Sequence, residues 1–284
     1  MNIILAESAG FCFGVKRAVS MVEEQIKLHP DLKIYTYGPI IHNENVVEDF
    51  RKQGVEVMAE DSDPKSYEKG IVILRSHGVS KKVQNSIEAA GHDIVDATCP
   101  FVKKIHNLAM EASEKGDYIL IIGDRKHPEI QGICGWIEGK DFSVIQTEEE
   151  AVHFSMDDPK RKITVLSQTT FNHKKFQVLV EILRQKGYDI NALNTICNAT
   201  AERQDEAARI AGEVDVCLVI GGRNSSNTRK LYDICRQKCQ KTYFLETADD
   251  LDTEVLDSAE NVGITAGAST PAKIIQEVIS KCQK

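Results

Sequence analysis

Short runs of β-branched and apolar residues alternate with amphipathic helical stretches along the chain, and this alternation constrains the fold more than any other feature of the sequence. Strands that are separated by helices pair in parallel and carry the helices on their faces, so the pattern predicts an α/β protein with mainly parallel sheets. The clearest predicted strands are residues 3–7, 34–37, 71–75, 94–97, 118–122, 163–167, 214–220 and 262–265. The clearest predicted helices are residues 15–28, 81–90, 101–115, 174–186, 199–211 and 272–281.

The size and composition of the chain narrow its class. Its 284 residues are 42% hydrophobic and 27% charged, which is typical of a globular protein of two or three compact units. The longest apolar runs, residues 118–122 and 214–220, are far shorter than the roughly 18 residues of a membrane span. At the N-terminus apolar residues precede basic ones, the reverse of a secretion signal, so we expect a cytoplasmic protein. A formal charge of −8 without a long basic run argues against nucleic acid as a partner.

Three cysteines mark an internal repeat. Cys12 in AGFCFGVKRAV, Cys99 in DATCPFVKKIHNLA and Cys197 in NTICNATAERQDEAARIA each follow a predicted strand and open a predicted helix. Because a repeat dictates the architecture, we expect three quasi-equivalent α/β modules around one centre. The predicted modules are residues 1–98, 99–196 and 197–284, with the N-terminal strand free to pack with another module.

Six polar loops recur at matching offsets behind these cysteines, each directly after a predicted strand and before a helical stretch. Ligands bind at this end of the strands in α/β folds, so these loops are candidate binding segments. The first loop of each module is YGPIIHN with His42, GDRKHPE with His127, and GGRNSSN with Ser225, Ser226 and Asn227. The second loop is RSHG with His77, SQTT with Thr169 and Thr170, and TAGAST with Ser269.

Three thiolates are too few to close a tetrahedral metal site, so a centre bound by Cys12, Cys99 and Cys197 would keep one position open. Thiolates select zinc, copper(I) or iron–sulfur centres, and a cluster held through three irons leaves the fourth to take a substrate oxygen as a Lewis acid. The alternative is that all three are buried small hydrophobic residues. Their recurrence at a strand-to-helix corner, where a helix N-terminus favours the thiolate, favours the metal centre.

The remaining cysteines carry weaker patterns. Cys235 and Cys239 lie one helical turn apart and could begin a zinc site, but no histidine follows them and core packing is the favoured interpretation. Cys217 lies within an apolar run and is predicted to be in the core.

The loop residues suit a diphosphate ligand. Backbone amides and hydroxyls of glycine-flanked Ser, Asn and Thr clusters hold phosphate oxygens at helix starts, and three loops add His42, His77 and His127. Glu129 follows a proline in the first turn of a helix, where it could act as a proton donor. Ordinary turn and capping chemistry is the alternative for each single loop and for the glutamate. The histidines that fall outside the repeated offsets are predicted to be structural or exposed: His29, His92, His106, His153 and His173.

Nine motifs stand in a fixed order along the chain. They are AGFCFGVKRA, YGPIIHN, RSHG, DATCP, HPE, SQTT, the strand-to-helix corner at Cys197, NSSN and TAGAS. In these motifs the sequence closely resembles the family of 4-hydroxy-3-methylbut-2-enyl diphosphate reductases over essentially its whole length. The resemblance implies three α/β domains around an oxygen-sensitive 4Fe-4S cluster, which Cys12, Cys99 and Cys197 would hold with one iron lacking a protein ligand.

The resemblance also implies a reaction and a role for each motif. An allylic hydroxyl is removed reductively, with two electrons from ferredoxin or flavodoxin, to give isopentenyl and dimethylallyl diphosphate in the last step of the methylerythritol phosphate route. Glu129, helped by Thr169 and His127, would deliver protons to the leaving hydroxyl and the allylic intermediate. The residues that would hold the substrate and its diphosphate are His42, His77, His127, Thr169, Ser225, Ser226, Asn227 and Ser269.

Two other functions fit part of the pattern. A quinolinate synthase-like enzyme would also place three cysteines on one cluster, although its motifs are not those found here. A metal-free module that binds a phosphorylated metabolite would bury the cysteines.

As a reductase, the protein would need a local basic patch to bind an acidic electron donor. The candidates for this patch are Lys16, Arg17, Lys103 and Lys104, and the alternative is that they form a solvated helix face. The sequence leaves the oligomeric state open.

Overall fold

The computed structural model describes residues 1–139 and 141–283, in which strands and helices alternate as the sequence predicts. The strands are β1 (Asn2–Leu5), β2 (Lys33–Tyr37), β3 (Val55–Met58), β4 (Gly70–Leu74), β5 (Asp93–Asp96), β6 (Tyr118–Ile122), β7 (Phe142–Ile145), β8 (Ile163–Ser167), β9 (Ile190–Ala192), β10 (Val216–Ile220), β11 (Thr242–Leu245) and β12 (Asn261–Ala266). The helices are α1 (Phe13–Leu28), α2 (Glu44–Lys52), α3 (Lys81–Ala89), α4 (Pro100–Glu114), α5 (Pro128–Cys134), α6 (Glu148–His153), α7 (His173–Gln185), α8 (Asn198–Ala211), α9 (Ser226–Lys238) and α10 (Ala272–Cys282).

The twelve strands of the described residues form three four-stranded sheets, and all of their pairings are parallel. The sheet orders are β3-β2-β4-β5, β7-β6-β8-β9 and β1-β12-β10-β11. The central strands are almost wholly buried, because helices pack on the sheets and leave the apolar β-branched side chains no contact with water. The predicted class, three α/β modules with mainly parallel sheets, is therefore confirmed.

The three sheets are equivalent strand by strand. In each order the edge strand at one end, β5, β9 or β1, is the strand that precedes a repeated cysteine in the chain. Strand β1 pairs with β12 in the register Asn2 to Asn261, so the third sheet combines both ends of the chain. The N-terminal strand therefore packs with the third module, as the sequence analysis allowed. The module boundaries near residues 98 and 196 stay a prediction.

The chain forms two compact units. The first consists of Met1–Lys16, Ile41–Lys52 and Asn198–Lys284, and it contains the sheet β1-β12-β10-β11. The second consists of Arg17–Ile40 and Gln53–Cys197, and it contains the other two sheets. Across the described residues, no helix combines the length and the apolar character that a bilayer-spanning segment needs.

Candidate active site

Each repeated cysteine stands immediately before a helix. Cys12 precedes α1, Cys99 is the N-terminal cap of α4, and Cys197 precedes α8. All three are half-buried, and none of the eight cysteines, all of which the structure describes, forms a disulfide. Each thiol therefore lies at a helix start and is partly open to solvent, a position from which it could ligate a metal.

The same backbone hydrogen bond recurs at each of the three cysteines. In each case the cysteine N–H donates to a carbonyl oxygen in the middle of a second loop. The bonds run from Cys12 to Ala268 (3.2 Å), from Cys99 to Ser76 (2.9 Å) and from Cys197 to Thr169 (3.0 Å). These acceptors hold equivalent places in TAGAST, RSHG and SQTT, so each candidate ligand is tied by the same bond to a candidate substrate loop.

The corner that carries Cys99 is built from charged residues. The guanidinium of Arg17 donates to the carbonyl oxygens of Thr98 (3.1 Å) and Asp96 (3.2 Å), and Lys103 forms an ion pair with the Asp96 carboxylate. Burial acts to raise the pKa of Asp96, but hydrogen bonds from Lys103 and Thr98 outweigh it and lower that pKa. Arg17 and Lys103 thus stabilise the strand-to-helix corner at Cys99. They are also two of the four basic residues predicted to bind the electron donor.

Helix α8 holds the loop before Cys12 within the first unit. Arg203 is buried and donates from Nη2 to the carbonyl oxygen of Gly10 (2.8 Å). The Glu206 carboxylate accepts from the N–H groups of Glu7 (2.8 Å) and Ser8 (3.0 Å) and from the Ser8 hydroxyl. Partial burial opposes these bonds, yet they keep the pKa of Glu206 below its ordinary value. Sequence reasoning missed both residues, although their i,i+3 spacing on one helix was a visible sign.

The first loops end in side chains that cap the following helices. Asn43, the residue after His42, accepts from the N–H of Val46 (3.3 Å) at the start of α2. His127 caps α5, and Ser225 caps α9 by accepting from the N–H of Thr228 (3.2 Å). The capping interpretation therefore holds for His127 and Ser225, and it is compatible with ligand binding because a capped helix start still presents N–H groups to an anion.

Within the first unit, three candidate segments meet. The Ser269 hydroxyl donates to the carbonyl oxygen of His42 (3.1 Å). Gly222, at the start of the loop that carries Ser225, lies so close to His42 that an added Cβ would come within 2.7 Å of its carbonyl oxygen. The loops at His42, Ser225 to Asn227 and Ser269 are thus brought together, as the diphosphate prediction requires.

Asn227 is the most informative side chain of this group. It is 4% exposed, and neither its amide nitrogen nor its amide oxygen has a hydrogen-bond partner among the described residues. A buried amide without partners costs about 1–3 kcal/mol. Such a cost is typical of a group that is kept for a ligand.

Within the second unit, Glu129 and Thr169 are joined by two short hydrogen bonds. Glu129 is 1% exposed, and its Oε1 accepts from the Thr169 N–H (2.6 Å) while its Oε2 lies 2.6 Å from the Thr169 hydroxyl. Gln168, the residue before Thr169, accepts from the N–H of Asp124 (3.1 Å) and thereby joins SQTT to the loop that leads to His127. This contact of Gln168 was not predicted.

His127 lies beside this pair, and its tautomer can be assigned. Its Nδ1 accepts from the N–H of Glu129 (3.1 Å), so Nδ1 carries no proton and Nε2 is the donor in the neutral ring. Its ring packs edge-on against His77, with centroids 5.4 Å apart at an angle of 78°. The second unit thus brings His77, His127, Glu129 and Thr169 together, and Cys99 and Cys197 are bonded to the same loops.

The common centre of the three cysteines stays a prediction, because Cys12 lies in the first unit while Cys99 and Cys197 lie in the second. Of the other cysteines, Cys217 is 1% exposed, which confirms its predicted place in the core. Cys235 and Cys239 are buried in the same apolar cluster as Cys217, which supports the packing interpretation over a zinc site.

His106 was predicted to be structural or exposed, and it is buried on α4 at 4% exposure. Burial lowers its pKa to about 4; Asp96 acts in the opposite direction and Lys103 in the same direction as burial. The ring is therefore neutral at pH 7.

We expect this burial to make the fold sensitive to acid. Between pH about 6.5 and about 4, His106 binds a proton in the unfolded chain but stays neutral in the folded protein. The free energy of unfolding therefore falls as the pH falls. The loss from pH 6.5 to 5 should be about 2 kcal/mol. Urea unfolding at both pH values measures it: His106→Leu should lack this loss, and His153→Leu, at an exposed histidine, should keep it. Equal pH dependence in all three proteins would contradict the expectation.

Comparison with known proteins places the chain in a family. The LytB protein family model matches residues 3–283. The chain belongs to the LytB protein family. A family member from Caldanaerobacter subterraneus subsp. tengcongensis, named 4-hydroxy-3-methylbut-2-enyl diphosphate reductase, is 44% identical over 281 residues, which cover 99% of this chain and 96% of that protein. A member of the same name from Geobacter sulfurreducens is 43% identical over 284 residues, covering 100% of this chain and 98% of that protein.

Two solved structures of diphosphate reductases are similar to this chain in fold. A structure of (E)-4-hydroxy-3-methyl-but-2-enyl diphosphate reductase, described as the terminal enzyme of the non-mevalonate pathway, is 38% identical with a TM-score of 0.70, covering 100% of this chain and 99% of that chain. A structure of the E-1-hydroxy-2-methyl-but-2-enyl-4-diphosphate reductase from Plasmodium falciparum is 28% identical with a TM-score of 0.92, covering 98% of this chain and 87% of that chain. The family resemblance seen in the nine motifs is therefore confirmed.

Proposed function

We propose that this protein is a 4-hydroxy-3-methylbut-2-enyl diphosphate reductase, which removes the allylic hydroxyl reductively and yields isopentenyl and dimethylallyl diphosphate. This would be the last step of the methylerythritol phosphate route. Membership of the LytB family supports the assignment. The structural observation that carries it is the buried Glu129 carboxylate, which Thr169 binds at both oxygens, on a residue whose backbone N–H donates to His127 Nδ1.

The donor set fits an iron–sulfur cluster. Cys12, Cys99 and Cys197 are half-buried, each precedes a helix, and each is tied by its N–H to a second loop. These residues would hold a 4Fe-4S cluster with one iron left open. When bound, the cluster supplies electrons and a Lewis acid for the departing hydroxyl. A trio of thiols is what such a centre needs, because a fourth protein ligand would close the open position.

Glu129 and Thr169 can store and pass a proton. Oε1 accepts from a backbone N–H, which cannot change its direction, so a proton on this carboxyl group belongs on Oε2. The Thr169 hydroxyl faces Oε2 and can donate or accept, because a hydroxyl is both donor and acceptor. Protonation of Oε2 would reverse this one bond and leave the Thr169 proton directed outward. His127, with its donor at Nε2, would orient the substrate next to this pair.

Each unit has its own candidate loops for the diphosphate. In the first unit His42, Ser225, Ser226, Asn227 and Ser269 offer hydroxyl, amide and imidazole groups together with the N-terminus of α9. In the second unit His77, His127 and Thr169 provide the remaining groups. Hydroxyl, amide and backbone N–H donors suit an acidic protein, since they bind an anion locally against the field of a net charge of −8.

Asn227 gives this assignment its own test. Asn227→Leu should raise KM for the allylic diphosphate by about tenfold or more, because a buried hydrogen bond to a charged group is lost. Its stability should stay the same or increase, since a buried amide without partners is removed. Asn172→Leu is the matched control, because Asn172 caps α7 by accepting from Lys175 N–H (3.0 Å). It should lower stability by about 1 kcal/mol and leave KM unchanged. The reverse pattern in steady-state kinetics and urea unfolding would reject the role of Asn227.

The electron donor would be a ferredoxin or flavodoxin. Such donors are acidic, and Lys16 and Lys104 are exposed next to the segments of Cys12 and Cys99. Arg17 and Lys103 also serve the Cys99 corner, which makes them less suitable for testing a docking role alone. We expect activity with a protein donor to fall as salt is raised, whereas activity with a reduced dye should not.

An anaerobic assay tests the proposed function as a whole. Purified protein with a reduced dye as electron source should oxidise the dye only when the allylic diphosphate is present, and should form both isoprenoid diphosphates. Turnover of the substrates of quinolinate synthase instead would favour that alternative. Colourless protein without iron or labile sulfide would favour the metal-free binding module.

A further inference from the structure

The loop that carries His77 packs closely against helix α4 and the C-terminal end of α5. We define this segment, Arg75 to Ser80, as the His77 loop. Its contacts lie within the second unit, on helix α4 and at the C-terminal end of α5, and they involve three consecutive residues that follow His77 directly.

The first contact is the ring of His106 against Gly78. Gly78 has a φ of +72°, and an added Cβ would lie 2.6 Å from His106 Cε1 and 3.2 Å from Nε2. Only glycine fits this combination of backbone angle and contact. An added Cβ at Gly132, one turn after Glu129 on α5, would lie 3.5 Å from the same Nε2 and 3.6 Å from Gly78. The His106 ring therefore lies at the place where the His77 loop meets α5.

The second contact is the indole of Trp136, the only tryptophan in the chain. Its Nε1 donates to the carbonyl oxygen of Val79 (2.8 Å), and its ring stacks on His106 with centroids 5.4 Å apart at an angle of 18°. Ser80 is the N-terminal cap of α3, so the carbonyl of Val79 lies outside that helix and needs a partner from elsewhere. Trp136 supplies it.

The third contact brings the two backbones together. An added Cβ at Gly135, the residue after α5, would lie only 2.1 Å from Ser80 Cβ. Any larger residue there would push the end of α5 away from the His77 loop. Gly78, Val79 and Ser80 are thus each matched by a residue of the α4 and α5 region.

This packing links the two groups of residues that surround the proposed reaction. His77 stands immediately before Gly78, whereas His127 and Glu129 stand at the start of α5, and the rings of His77 and His127 are 5.4 Å apart. We propose that Trp136, stacked on His106, is a positioning residue that fixes the His77 loop against α5 and thereby sets the place of His77 relative to His127 and Glu129. The inference rests on the proposed function, since it presumes that these residues act on one substrate.

A space-filling role alone does not account for the arrangement. A phenyl or aliphatic side chain would fill the site next to His106, but only a side chain with a donor can bind the Val79 carbonyl two residues after His77. The indole offers one donor in a fixed direction, and the stacked His106 ring limits its rotation.

The test separates positioning from packing. Trp136→Phe keeps an aromatic ring next to His106 and removes the donor to Val79 together with the second ring of the indole. We expect KM for the allylic diphosphate to rise by about tenfold, the factor that corresponds to one hydrogen bond, with kcat changed by less than about twofold. Tyr118→Phe is the matched control, because it also removes one hydrogen bond in the second unit, the one between the Tyr118 and Ser143 hydroxyls (2.7 Å), away from the His77 loop. Both variants should melt at slightly lower temperatures, and only the first should change KM.

A second variant guards against misfolding of the first. His106→Leu keeps Trp136 and its donor but removes the flat ring on which the indole stacks, and we expect the same direction of change in KM. Tryptophan emission, which in this chain reports on Trp136 alone, should shift in that variant. If both variants fold and keep the KM of the parent protein, the inference is overturned while the proposed function stands. If the parent protein itself does not turn over the allylic diphosphate, the proposed function fails instead.

Discussion

Replacement of Cys12, Cys99 or Cys197 by serine is expected to leave anaerobically purified protein with on the order of tenfold less iron and labile sulfide, because a hydroxyl does not replace a thiolate as a ligand for soft metal centres. With only three protein ligands, the loss of one leaves two, and the cluster should dissociate. The brown colour and the activity should disappear together with the iron.

Cys235→Ser is the matched control for these variants. Cys235 is 0% exposed in the apolar cluster of Cys217 and Cys239, and its thiol points to the carbonyl oxygen of Ala207 (3.8 Å). A serine there can make the same contact, so its iron content should match that of the parent protein. Equal iron in all four variants would reject the ligand assignment. Loss of iron in only one or two of the three would show that the cysteines do not share one centre.

Glu129→Gln is expected to lower kcat by roughly 10² to 10⁴ while binding of the diphosphate is largely retained. The amide oxygen of glutamine can still accept from the Thr169 N–H, and the amide nitrogen can donate to the Thr169 hydroxyl once that hydroxyl turns. Both hydrogen bonds of the buried pair therefore survive, with one of them reversed. What disappears is the group that carries a proton. Steady-state and single-turnover kinetics with a reduced dye measure the effect.

Thr169→Val completes this experiment. It removes the hydroxyl that faces Oε2 but keeps the backbone N–H that binds Oε1. If the hydroxyl passes the proton, kcat should fall in this variant as well, although Glu129 is unchanged. Normal turnover in Glu129→Gln would exclude Glu129 as the proton source, whatever the result for Thr169.

The prediction of the fold succeeded for strands with a strong apolar pattern. Central strands such as β6 and β8 were predicted with their observed bounds, because buried parallel strands form continuous runs of Ile, Val and Leu. The strands β3, β7, β9 and β11 were not predicted. Strand β9 has only three residues, whereas β3, β7 and β11 are equivalent edge strands of the three sheets. Their sequences, VEVM, FSVI and TYFL, are four residues long and half-exposed, so neither their length nor their composition distinguishes them from loops.

Some residues of the candidate site could be predicted from the sequence and others could not. The residues that would act on a ligand, such as Glu129 and Asn227, lie in short motifs at repeated offsets, which makes them visible in one sequence. The residues that hold those motifs in place have no such mark. Arg203, Gln168 and Trp136 each form a hydrogen bond with a loop that is distant along the chain.

The amino-acid sequence alone was enough to predict the α/β class, the threefold repeat, the helix starts at the cysteines and the loop motifs. Each of these follows from residues that are neighbours along the chain, through hydrophobic period, capping and turn preference. The pairing of β1 with β12, the common N–H bond from each cysteine to a second loop, and the packing of Trp136 and His106 on the His77 loop required the folded chain. Contacts of that kind join residues tens to hundreds of positions apart, and such separations carry no periodicity that a single sequence can display.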